Sequence, residues 1–325
     1  MSTEFERMVE EIDGKRQIDF ARIFRAAARM KDGGKARELL RIVAASAVVA
    51  AVPAAKVAAD TAAATVGDDW AAHYAKRKAD IEHLHNEIKT ELRMAQGECQ
   101  RKLRRHFAHA DIKSASGFDF MFDPDQLAAD LAEVLGAALP DMLLEAGQDV
   151  TTDFLPPPAE AKAFIDEREN LMSNVAQETF DSVKDELQQG LDAGESYKEL
   201  SKRLSDKFTE ISEGRAQTVA STEVASAYGY ARNEAMKQSG AKFKMWLGSG
   251  RPPGTLHGMR PAHAAAHYEQ QTRAIDEPFV VGGESLMFPT DASLGAGPEM
   301  TINCHCVALP AEAPASRQNL EARNP

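Results

Sequence analysis

The chain has 325 residues, a formal net charge of −12, and 43% hydrophobic but only 6% aromatic residues. That length leaves room for two domain cores, and the acidity excludes a general nucleic-acid coat while permitting a local basic patch. Three cysteines, Cys99 alone and Cys304 with Cys306 in a Cys-x-Cys, do not build a secreted disulfide framework and point to a reducing compartment.

From Glu4 to about His106 the pattern predicts helix almost throughout, after a turn at Gly33-Gly34 and a break at Pro53. The N-terminus is acidic and lacks an apolar signal core. The most apolar stretch, Ile42 to Ala55, contains Pro53 and is shorter than the roughly 18 residues of a membrane span; it reads as a buried or self-associating helix, and no membrane partner is expected. Asp68 to His106 reads as one long amphipathic helix, because Trp70, Tyr74, Ile81, Leu84, Ile88, Leu92 and Met94 recur near helical spacing. Cys99 follows as a small core residue. Arg101, Lys102, Arg104 and Arg105 then complement the helix C-terminal dipole as a solvated end, or else meet DNA phosphate.

Gly117 to Pro124 is expected as a loop, and Gln126 to Asp149 as a helix with a break at Pro140. Pro156-Pro157-Pro158 cannot continue a helix and forms a stiff connector. The main border is placed there: an alanine-rich helical region over 1–157, a second domain over 158–310 and a polar tail over 311–325.

The second domain opens with a helix from Ala159 to about Leu191. Ser196-Tyr197-Lys198-Glu199 is a capping box for the next helix, a turn is expected at Glu213-Gly214, and a helix from Arg215 to about Gln238 ends at a Gly240 cap. On that last helix Ala216, Ala220, Val224, Ala227 and Ala231 form a narrow apolar stripe. Thr222, Ser226, Gly229 and Asn233 form a polar one, either an ordinary wet face or a clamp in which Thr222, Glu223 and Asn233 hold later loops. Glu223 would pair with Arg260 or Arg251 in the second reading. Short strands are predicted at Lys242 to Leu247, Phe279 to Val281, Leu286 to Phe288 and Met300 to Val307. The fold class is therefore α+β, predominantly helical, with a small mixed C-terminal module.

Cys304 and Cys306 face the same way if their segment is an extended strand. His263 and His267 share a face if Ala262 to Tyr268 is helical. Together they are four ligands suited to tetrahedral Zn²⁺, a closed and hence structural site. The alternative is that the thiols are simply packed and the histidines bond to carbonyls or solvent; a disulfide across two residues is strained in an extended strand.

The ordered motifs Arg215-Ala216, Ala220-Ser221-Thr222-Glu223, Asn233, Gly240, Lys244-Met245-Trp246, Arg260-Pro261-Ala262-His263, Phe288-Pro289-Thr290-Asp291, Pro298-Glu299 and Ile302-Asn303-Cys304-His305-Cys306 resemble the phage Mu F-like minor head proteins, or head morphogenesis proteins. The resemblance runs from about Ala159 to Leu309. It implies a minor capsid component of a tailed double-stranded DNA phage or prophage, assembled in the host cytoplasm and located in the head interior near the portal. Portal, major capsid or scaffolding protein and packaged DNA are the implied partners, with roles in procapsid assembly and DNA packaging or ejection; the long alanine-rich helices are expected to supply portal contact or self-association with further copies of the chain. It also implies importance for Thr222, Glu223, Trp246, Arg260, His263, Asp291, Asn303, Cys304 and Cys306. His305 stands where the family usually has Arg, and His267-Tyr268 where it tends to have an acid or amide followed by Gly, so His305 or Asp291 is an alternative fourth ligand. A structural, non-enzymatic role is expected; the alternative is a metal-dependent hydrolase or nuclease. No phosphate loop, nucleophile elbow or His-Glu-x-x-His motif supports that alternative.

Overall fold

A computed structural model describes residues 66–109, 122–249 and 258–312. The readings for residues 4–65, including the Ile42 to Ala55 helix, for Arg251 and for the tail beyond residue 312 lie outside the described residues, as do the side chains of Trp70 and Tyr74. Four long helices come first: α1 (Val66–His109), α2 (Pro124–Gln148), α3 (Pro158–Asp192) and α4 (Tyr197–Gln238). They are followed by β1 (Phe243–Leu247), α5 (Pro261–Tyr268), β2 (Thr272–Ala274), β3 (Phe279–Val281), β4 (Glu284–Leu286), α6 (Pro298–Thr301) and β5 (Val307–Ala311). The fold is α+β and predominantly helical, and no described helix is long and apolar enough to cross a membrane.

The polypeptide packs as two compact units. The described residues up to Asp80, with Leu139–Ala163 and everything from Ser221 onward, form the first; Ile81–Ala138 and Phe164–Ala220 form the second. The Pro156 to Pro158 run therefore lies inside the first unit, where it separates α2 from α3.

The second unit is helical. Ile81, Leu84, Ile88, Leu92, Cys99 and Leu103 of α1 are buried at helical spacing, so one face of the helix is withdrawn from water. Met94 departs from the expected stripe: it is 56% exposed, two positions past Leu92 and thus on another face, and Ala95 occupies the buried position. Phe122 packs edge-on against Phe180 and Phe208, with centroids 5.3 and 6.1 Å apart. Each such pair adds about 0.5–1.5 kcal/mol beyond area burial.

Two predicted breaks are absent. Helix α2 runs through Pro140, because burial of Leu135, Leu139, Met142 and Leu143 outweighs one lost backbone bond. Helix α4 runs through Gly214 for 42 residues. A mid-helix glycine costs only about 1 kcal/mol, and burial of Ile211, Ala216 and Val219 on either side outweighs it. The capping box forms as expected: Ser196 N–H donates to Glu199 Oε2 at 2.7 Å and Glu199 N–H to Ser196 Oγ at 3.5 Å.

In the first unit α4 ends in a Schellman turn. Gly240, at φ 80°, donates to Lys237 O while Ala241 donates to Met236 O. The chain then enters the central strand of a three-stranded antiparallel sheet ordered β2-β1-β5. Strands β3 and β4 form a separate hairpin across Gly282 and Gly283, whose positive φ values of 62° and 88° suit a two-residue turn. Strand β2 carries no alternation strong enough to have been anticipated. The strand expected over Met300 to Val307 is instead helix α6 and an irregular loop, with β5 starting only at Val307: Pro298 suits a first helical turn, and Asn303, at φ 53°, breaks extended geometry.

Candidate metal centre and its supporting clamp

Helix α4 supplies one wall of the site. Its small residues Ala216, Ala220, Val224, Ala227 and Ala231 are fully buried. The parallel polar stripe is buried too, with Ser226 and Asn233 each 1% exposed. Two of its members bond to later segments. Thr222 Oγ1 accepts a bond from Asn303 N–H at 3.1 Å, and Asn233 Oδ1 accepts one from Lys244 Nζ at 3.1 Å. At Gly229 a Cβ would lie 2.7 Å from Phe288 Cδ2 and 2.8 Å from Pro289 O, so the missing side chain is what lets that loop approach. Glu223 is buried beside Thr222. Arg260, its expected partner, donates to the Ile302 carbonyl at 2.5 Å.

Strand β1 sends Lys244 and Trp246 to the same buried side, two residues apart. Lys244 is fully buried and donates to Met287 O at 2.7 Å as well as to Asn233, with its ammonium 5.4 Å from the Phe279 ring centroid. Burial pulls its pKa down to about 8. Asp291 braces the same loop from within, Oδ2 accepting from Met287 N–H at 2.8 Å and Oδ1 from Ser293 N–H at 2.9 Å. Trp246 packs edge-on to His263 (5.4 Å, 82°) and to Phe279 (5.3 Å, 81°).

The donors converge behind that tryptophan. Helix α5 starts at Pro261 and delivers His263 to the buried side; its Nδ1 lies 3.6 Å from Cys304 Sγ and 3.5 Å from Cys306 Sγ. All three donor atoms fall within 4.8 Å of one another and are buried. In tetrahedral zinc, Zn–S of about 2.3 Å and Zn–N of about 2.0–2.1 Å place N and S donors about 3.5 Å apart, so the spacing fits. The cysteines are free thiols. They sit in the loop before β5 rather than in a strand, so convergence comes from loop geometry held by Thr222, Arg260 and Ser249, whose N–H donates to Cys306 Sγ at 3.4 Å.

The two thiols share one proton unequally. Hydrogen bonding from Cys306, with His263 beside it, holds Cys304 well below the usual thiol range, while burial drives Cys306 up. This asymmetry makes Cys304 the readier thiolate and hence the readier ligand.

His267 does not join the group. Although it follows His263 by one turn, its ring is only half-buried and its Nδ1 accepts from Gly248 N–H at 3.2 Å. Among the described residues the donor group contains neither His305 nor Asp291, and it numbers three. The basic residues Arg101, Lys102, Arg104 and Arg105 belong to the second unit, away from these donors in the chain. Arg101, Arg104 and Arg105 are exposed, and Lys102 pairs with Glu98 at 2.6 Å.

Sequence reasoning missed Arg77, which donates to the His305 carbonyl at 3.5 Å. The signal was present: Arg77 continues the buried α1 spacing of Ile81, Leu84, Ile88 and Leu92, and a charge on a buried stripe needs a partner.

No curated protein and no solved structure matches the chain. The family model described as phage Mu protein F like protein matches residues 181–309, which supply all three donors of the metal-competent group.

Proposed function

We propose that the protein is a minor head component of a tailed double-stranded DNA phage or prophage, acting in procapsid assembly beside the portal. The family match over residues 181–309 carries this reading, because the phage Mu F-like family suggests a head morphogenesis role. The chemistry of the module agrees with a structural role: its polar groups are spent on holding loops, with Thr222, Asn233, Lys244, Arg260 and Asp291 each bonded to backbone or to one another. In this reading His263, Cys304 and Cys306 hold Zn²⁺, which supplies cross-linking of α5 to the loop before β5. Exposed Arg101, Arg104 and Arg105 are available to packaged DNA as phosphate contacts.

The test is co-purification. Tagged full-length chain expressed with the head genes should sediment with procapsids and retain portal or major capsid protein after nuclease treatment. A chain that remains unassociated in such lysates contradicts the assembly role. The hydrolase alternative predicts that zinc-loaded protein cleaves DNA or cell-wall polymer, with loss on Glu223→Ala; the structural reading predicts no cleavage by either protein.

A further inference from the structure

The loop from Ile302 to Cys306 is gripped at successive residues by different elements. Arg260, preceding α5, takes the Ile302 carbonyl, Thr222 of α4 takes the Asn303 N–H, Arg77 of α1 takes the His305 carbonyl, and Ser249 N–H takes Cys306 Sγ. Arg77 alone among these lies outside residues 181–309. Arg77 is 4% exposed and its guanidinium lies 5.1 Å from the Tyr228 ring centroid, while Tyr228 Oη donates to Asp80 Oδ2 at 2.6 Å. One turn of α1 thus straddles a tyrosine of α4.

Burying this guanidinium is costly, since Nη2 has no hydrogen-bond partner among the described residues and the neighbouring Arg232 is a like charge. The face of the Tyr228 ring lies on one side of it and the loop that carries Cys304 and Cys306 on the other. Arg77 donates to the carbonyl between those two cysteines, in a stretch without regular secondary structure. Whatever fixes the two sulfurs also fixes that carbonyl.

We propose that the Arg77 to Asp80 turn of α1 is a latch set by the metal centre: ligation of Cys304 and Cys306 holds the His305 carbonyl where Arg77 docks, and loss of the metal releases the turn. This rests on the reading that His263, Cys304 and Cys306 bind zinc. The metal thereby controls attachment of a segment that the family region does not contain. Arg77 is a positioning residue in this scheme and does not contact the metal.

The test is hydrogen exchange on full-length, zinc-supplemented protein, with zinc content measured on the same samples. Chelation should speed exchange of the amides over residues 75–80 by about tenfold or more, and leave the peptide around Phe208 unchanged. Arg77→Met should reproduce that acceleration while zinc stoichiometry stays as in the parent; the chelation arm needs no variant and stands even if Arg77→Met misfolds. Bound zinc with no change in exchange on chelation overturns the latch and leaves the zinc reading intact. Absence of zinc from the supplemented protein overturns the zinc reading and the latch with it.

Discussion

The two units differ in how they are held together. The second buries leucines, phenylalanines and alanines on helix faces, including the Phe122, Phe180 and Phe208 cluster, so many similar contacts share the load. Its buried polar residues, among those described, are Arg168, Thr179 and Ser212, whereas the first unit buries more of them, among them Glu223, Asn233, Lys244, His263, Thr290 and Asp291, several with named partners. Apolar packing tolerates change in proportion to volume, whereas a polar clamp fails when one partner is removed and the other is left buried.

The largest effect is expected from a substitution on the apolar side. Phe208→Ala should destabilise the second unit by about 3–5 kcal/mol, read as an earlier urea transition in its peptides by exchange mass spectrometry. A loss of equal size in the first unit's peptides would mean that the units do not differ in this way. Gly229→Ala tests close approach in the first unit. The added methyl meets Phe288 and the Pro289 carbonyl, and a cost of about 1–3 kcal/mol is expected in thermal unfolding.

Lys244 sharpens the contrast through pH. Its pKa in the fold, about 8, is below its ordinary value of 10.5, so between these pH values the unfolded chain binds the extra proton. Stability contributed by this site therefore rises as pH climbs from about 8 to 10.5, by on the order of 1–3 kcal/mol. Subtracting the pH profile of Lys244→Met from that of the parent isolates the effect; a flat difference would contradict it. The smallest change is expected from Thr222→Val, about 1 kcal/mol, for one neutral bond to Asn303 N–H. Urea melts of the first unit measure it, and a value near zero would show that water replaces the hydroxyl.

Much of the helical framework was legible because capping boxes and apolar stripes act locally. Ser196 with Glu199, Gly240, Cys99 and the alanine stripe of α4 all behave as their sequence context implies. Pro140 and Gly214 did not interrupt their helices, since local cost was outweighed by burial that depends on distant segments. The His263, Cys304 and Cys306 group was legible as residue types, but its geometry arose from a loop rather than the expected strand, and helical spacing alone did not bring His267 to it. Arg77 and Lys244 were harder to read. Each is a charge on a buried face, and only tertiary structure reveals the carbonyl it was placed to meet.

The account turns on whether the buried donor group is a metal centre. Zinc content of the full chain, purified without chelator from zinc-supplemented cells, tests it most directly when measured beside Cys304→Ser. The account predicts about one zinc per chain in the parent and a large loss in the variant. Parent protein that contains no stoichiometric zinc, or a Cys304→Ser protein that retains all of it, would contradict the account.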